Sequence, residues 1–318
     1  MNSTTPNQPL QNSHAAPAGW FRGLGAALKF ALPLGRQRTG EDPASAAATA
    51  HWIVPIGLVI GLLWVGVFRA TWRVYGEIAT VRVVPALMIV LMESLFTGYY
   101  LVMGLARTVH TLASDRPLRS AGLPPDNADE DAGTPPALAG AECPQVLSAT
   151  ATLVLGLAVL VQWVLIVSIP WESPWWPSPT DWRHSFRFLY PAPLYRPLLL
   201  TPVWGRWGLL LAATIGRTAR HADGQTQALE RAMSPGRLLR QTILPLVLTA
   251  VYCSRGGNLI IGAIISLLVF GATYAAAVIM ARRGGGQTRQ SLYGTGLIAQ
   301  ITFLAIYRAF WLFIHRWN

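Results

Sequence analysis

Leu259-Ile260-Ile261-Gly262-Ala263-Ile264-Ile265-Ser266-Leu267-Leu268-Val269-Phe270-Gly271-Ala272-Thr273-Tyr274-Ala275-Ala276-Ala277-Val278-Ile279-Met280 contains no Asp, Glu, Lys or Arg from one end to the other. A run of this length fits one solvent only. About 20 apolar residues in a helix cross the hydrocarbon of a bilayer, with every backbone group satisfied inside the helix. Further runs flank it on both sides. We place spans at 52–68, 83–106, 146–169, 198–215, 237–252, 258–280 and 292–314, so the expected fold is an all-α integral membrane protein, a polytopic bundle of seven helices. The fourth run is interrupted by Arg206 and the fifth is short.

Composition agrees. The 318 residues are 52% hydrophobic and 12% charged, with a mean hydropathy of +0.38. A soluble domain carries roughly twice that charge. Thirteen Trp, 10 Phe and nine Tyr exclude disorder over the whole chain, and two cysteines, Cys143 and Cys253, exclude a disulfide scaffold. A net charge of +11 would suggest nucleic acid in a soluble protein. Here the arginines gather in loops and near headgroups, so the partners are membrane lipids and no nucleic acid is expected. With the N-terminus placed in the cytoplasm, 15 basic residues fall on the cytoplasmic side and eight on the other. That bias favours a bacterial-type inner membrane protein with its N-terminus inside.

Outside the spans, residues 1–18 read as a disordered tail. Residues 19–50 read as an amphipathic interfacial segment and linker, and 51–318 as the transmembrane domain. Two loops interrupt it. Residues 114–142 are rich in Pro, Asp and Ala, and 171–197 carry Trp171, Trp175, Trp176 and Trp182 among prolines.

Chemistry in a membrane is marked by ionisable groups at costly positions. Glu93, Arg206 and Arg308 are such groups, and an ion pair between Glu93 and an arginine is expected either to fix helix register or to touch substrate. Gly284-Gly285-Gly286-Gln287-Thr288 follows Arg282 and Arg283. Its glycines would let backbone N–H groups approach a phosphate, or they form an interhelical turn. Arg217 and Arg220 make a second anion candidate. No metal-ligand motif is present, and no acid follows Glu230.

At these residues the chain resembles the cobalamin synthase family, the adenosylcobinamide-GDP ribazoletransferases. The similarity runs through Ala27–Pro33, Val54–Gly61, Thr201–Trp207 and Gly285-Gly286-Gln287-Thr288 in order. The resemblance implies a multi-pass membrane enzyme of the last steps of cobalamin biosynthesis that uses Mg²⁺. A fifth stretch, Thr97–Leu112, resembles the family's aspartate motif in its framework: Thr97, Gly98, Gly104, Leu105, Ala106, Thr108 and Leu112. Where the family has aspartates, this chain has Met103, Arg107 and His110. A further aspartate becomes Gln290, and two glutamates become Leu297 and Gln300. Mg²⁺ requires hard oxygen ligands, so no cofactor is expected here.

Three readings follow. In the first, the protein has lost Mg-dependent catalysis and binds an anionic nucleotide- or corrinoid-type ligand, alone, as a homo-oligomer or with an active relative. Its candidate ligand residues are Arg107, His110, Arg206, Arg217, Arg220, Arg283, Gly285, Gly286, Gln287 and Thr288. The second is an active ribazoletransferase in which Arg107, His110 and Arg289 clamp the phosphates. The third is a structural membrane protein or transporter.

Overall fold

The computed structural model describes residues 18–31, 43–75, 82–97, 99–113, 149–169, 194–219, 222, 224–253 and 259–316. The tail, loop 114–142, most of loop 171–197, Cys143 and Arg220 lie outside the described residues. The described chain is almost entirely helical: α1 (Ala18–Ala31), α2 (Pro43–Tyr75), α3 (Val83–Phe96), α4 (Tyr100–Ala113), α5 (Ala149–Val167), α6 (Tyr195–Thr214), α7 (Gly224–Ala232), α8 (Pro235–Tyr252), α9 (Ile260–Arg283) and α10 (Arg289–Arg316), with one isolated bridge between Thr218 and Gln287. Local sequence accounts for several boundaries. Ser234 caps α8, its hydroxyl accepting from Arg237 N at 3.3 Å, and Pro235 takes the first helical position, where no N–H is needed. Gly284 follows the last residue of α9.

Among the described residues, four helices are long and apolar enough to cross a membrane: residues Ala46–Tyr75 of α2, α5, α9 and residues Arg289–Ile314 of α10. The bent pair α3 and α4 makes a fifth if it counts as one span. Expected spans 198–215 and 237–252 are helices α6 and α8, but neither is among them. The reason for α6 is its surroundings. All of its residues from Arg196 to Ala213 are buried in protein, so Arg, Pro and Trp replace lipid-facing aliphatics. In α8, Arg237, Arg240 and Gln241 occupy the opening turns. Two boundaries also differ. Helix α2 starts nine residues before the expected 52 because the Ala-rich segment after Pro43 is strongly helix-forming, and α6 begins inside the expected loop 171–197.

The expected span 83–106 is not one continuous helix. Its two halves meet at 80° across Thr97–Tyr99. The Thr97 hydroxyl bonds back to Glu93 O at 2.7 Å, and Tyr99 N reaches Ser94 O at 2.7 Å. Tyr99 has φ +63°, the left-handed conformation, which costs a residue with a Cβ about 1–2 kcal/mol. A helix cannot run through that conformation.

Helix α6 is the axis, packed between α2 and α10. Small residues make the approach possible. A Cβ on Gly57 would lie 2.8 Å from Pro202 O, and one on Gly61 would collide with Leu199 O. Trp204, Trp207 and Phe303 fill the centre, and the indole N–H groups of Trp204 and Trp207 donate to Thr249 at 3.0 Å and Thr242 at 2.9 Å on α8. Exposed Leu153 and Leu157 on α5, and Ile260 and Leu267 on α9, face outward as lipid-facing residues do.

Candidate functional site

The turn after α9 is held from both sides. Gly285 has φ +67° and Gly286 φ +131°, conformations that residues with a Cβ rarely adopt. A Cβ on Gly286 would lie 2.7 Å from Ala219 N and 2.8 Å from Arg217 O. Chain 217–219 runs alongside: Gln287 N donates to Arg217 O at 2.8 Å and Ala219 N to Gln287 O at 2.9 Å. The buried Gln287 amide donates to Ile215 O and Ala277 O, each at 3.2 Å, and accepts from the Ser291 hydroxyl at 2.6 Å. Thr288 and Ser291 cap α10 reciprocally, Thr288 N donating to Ser291 Oγ at 2.9 Å and Ser291 N to Thr288 Oγ1 at 3.2 Å. Gly284 N and Gly286 N donate to Met280 O and Ala281 O, both at 2.9 Å. The N–H groups of Gly284, Gly286, Gln287 and Thr288 are thus engaged within the protein. What faces outward is charge: Arg217, Arg282 and Arg283 are exposed around exposed Gly285. Glu230 closes the neighbouring loop, accepting from Thr218 N at 3.0 Å and from its hydroxyl.

Helix α4 reaches the same end of the bundle. A Cβ on Gly104 would lie 2.6 Å from Gln290 O, and one on Gly294 would lie 3.2 Å from Leu105 Cα. The stretch 97–112 therefore lies against the residues that follow the glycine turn. Met103 and Arg107 are half-buried and one helical turn apart, on one face of α4. His110 follows on the same helix, its side chain outside the described residues. Beside this contact Arg289 is caged by three rings, its guanidinium carbon 5.0 Å from the Tyr100 centroid, 5.5 Å from Phe30 and 5.6 Å from Tyr293. The Tyr293 hydroxyl donates to Phe30 O, which ties α1 to α10. Sequence reading missed the cage, since Phe30, Tyr100 and Tyr293 share no local pattern.

Deeper in the bundle, four polar side chains from four helices converge. Glu93 accepts from Gln162 Nε2 and from Gln300 Nε2, each at 2.8 Å, and Gln162 Nε2 lies 3.4 Å from Gln300 Oε1. Arg206 Nη1 lies 3.5 Å from Glu93 Oε1. That is an ion pair too long for a good hydrogen bond. Arg206 is 1% exposed, yet its Nε, Nη1 and Nη2 make no hydrogen bond among the described residues. Of the two arginines expected inside spans, Arg206 is the partner of Glu93. Arg308 lies instead over Trp311, at 4.7 Å. Leu297 is buried in the apolar core.

These donors do not fit the Mg²⁺ that the resemblance implies. Among the described residues the acids are Glu93 and Glu230, and the two are engaged in separate places. No group of three His, Cys, Asp or Glu side chains comes together among the described residues. A thioether, a guanidinium, an alkyl chain and two amides stand at 103, 107, 297, 290 and 300. No reaction step through the ion follows from such a set.

A family model described as cobalamin-5-phosphate synthase, CobS, matches residues 147–307. No curated protein and no solved structure matches the chain. The matched segment contains the stretches 201–207 and 285–288, and it begins after 97–112. It covers α5 to α10 as far as Tyr307, half of the chain, and includes the central helix and the glycine turn. On that match, this helical multi-pass membrane protein belongs to the cobalamin-5-phosphate synthase family.

Proposed function

We propose that this member of the family serves cobalamin biosynthesis by binding an anionic, nucleotide-linked corrinoid-type ligand, without Mg-dependent transfer. One observation carries the reading. At the Gly104–Gln290 contact, where α4 meets the start of α10, half-buried Arg107 and Met103 stand at positions where the resemblance implies carboxylates. A site for a cation has become a site for an anion. Arginine binds phosphate through paired N–H donors, so Arg107, with Arg217 and Arg283 at the exposed rim, supplies the recognition. The glycine turn contributes shape, since its N–H groups are largely engaged. The gathering of α1, the glycine turn and these arginines at one end of the bundle supports a cytoplasmic placement of that end in an inner membrane.

The test uses full-length protein in detergent with adenosylcobinamide-GDP as probe, with and without Mg²⁺. We expect binding without turnover under either condition, and about tenfold weaker binding for Arg107→Ala. Mg-dependent turnover would overturn the proposal. Absence of binding would favour the structural or transport reading.

A further inference from the structure

The end of the bundle away from the glycine turn carries a cationic centre of its own. Arg308 lies 19 residues beyond Arg289 along α10, about 28 Å at the helical rise. Ala86 and Ile89 of α3, Ile166 and Ile169 at the end of α5, and Leu304 of α10 belong to one apolar cluster. Arg82 stands one turn before Ala86 and Arg308 one turn after Leu304. The two arginines therefore sit over the same end of that cluster.

Their environment is specific. Arg82 Nη1 donates to Ile169 O at 2.9 Å, which fixes the guanidinium across the end of α5. The Arg308 guanidinium stacks 4.7 Å from the Trp311 centroid, and its Nη1 is buried without a hydrogen-bond acceptor among the described residues. The arginines also sense each other: burial, and after it the positive charge of Arg308, hold Arg82 below its ordinary pKa. Two positive charges at the same end of one apolar cluster favour an anion there. Trp163, whose indole N–H donates to Val83 O at 3.2 Å, and Trp311 mark the depth of a headgroup layer. Exposed Val83, Leu87, Leu312 and Phe313 border the site with apolar surface.

We propose that Arg82 and Arg308 form a binding site for a phosphate oxyanion, taken either from the headgroup of an anionic lipid or from free phosphate. A tetrahedral oxyanion would accept from both guanidiniums and supply the acceptor that Arg308 Nη1 lacks among the described residues. The apolar border would carry acyl chains when the oxyanion belongs to a lipid. This site is separate from the ligand site proposed above and does not depend on it.

The experiment is native mass spectrometry of the full chain in detergent, titrated in parallel with phosphatidylglycerol, phosphatidylcholine and inorganic phosphate. The wild type should retain the anionic lipid or inorganic phosphate in preference to phosphatidylcholine, and which of the two it retains identifies the source. Arg308→Gln should weaken that retention about tenfold, Arg308→Lys less, while Arg73→Gln, an exposed arginine at the same end, should leave it unchanged. A wild type with no preference among the three probes overturns the proposal whatever the variants do. So does equal loss in Arg73→Gln and Arg308→Gln, which would mean a diffuse basic belt.

Discussion

The glycine turn at 284–288 and the buried cluster around Arg206 make opposite use of their polar groups. In the turn, N–H groups that glycines could present to a phosphate already bond to Met280, Ala281, Arg217 and Ser291. In the cluster, a guanidinium at 1% exposure keeps its nitrogens without hydrogen bonds among the described residues, beside a carboxylate that two amides already occupy. A glycine-rich loop next to arginines is thus not sufficient for an anion site, because the backbone donors must also be unengaged. A buried arginine with idle donors is held by the helices around it, and its neighbours carry the cost.

The largest way to test that contrast is to break the ion pair. Glu93→Leu leaves Arg206 buried beside two amides, and should lower stability by about 3–5 kcal/mol, read as lost thermal stability in detergent. The double variant Glu93→Leu with Arg206→Met should recover most of that loss. If the single variant is as stable as the wild type, the cluster is not a structural unit. Next comes the turn. Gly286→Ala combines a left-handed φ with a Cβ against Ala219 and should cost about 3 kcal/mol. Gly285→Ala, with open space around its Cβ, should cost only about 1 kcal/mol. Equal losses at the two glycines would show that packing on 217–219 contributes nothing. The smallest effect is expected at the aromatic cage: Tyr100→Leu keeps apolar bulk but removes one ring from Arg289, for about 0.5–1 kcal/mol by the same melting measurement.

Much of this was legible in the chain. The uncharged run 259–280 specified a membrane helix, and the structure carries it in α9. Glu93 was marked by its cost inside an apolar run. The family resemblance at 201–207 and 285–288 falls within the matched segment. Less legible were features that depend on neighbours. Residues 83–106 are apolar enough for one span, yet Thr97 and Tyr99 divide them, because periodicity does not register a single residue in the left-handed region. Residues 198–215 looked like a weak span because Arg206 interrupts them. In the fold the same helix is enclosed by protein, where an arginine can meet a carboxylate.

Sequence alone determined that the protein lives in a bilayer as helices, and it set the side chains at 103, 107, 110, 290, 297 and 300, where the resemblance implies carboxylates. The first is a property of composition along a run, and no partner is needed to read it. Tertiary structure decided that Glu93 pairs with Arg206 and not with Arg308, that Arg289 is caged by rings from α1, α4 and α10, and that the glycine turn is engaged by 217–219. The chain sets the cost of burying each polar group, but only the packing of helices far apart in sequence selects the group that meets it.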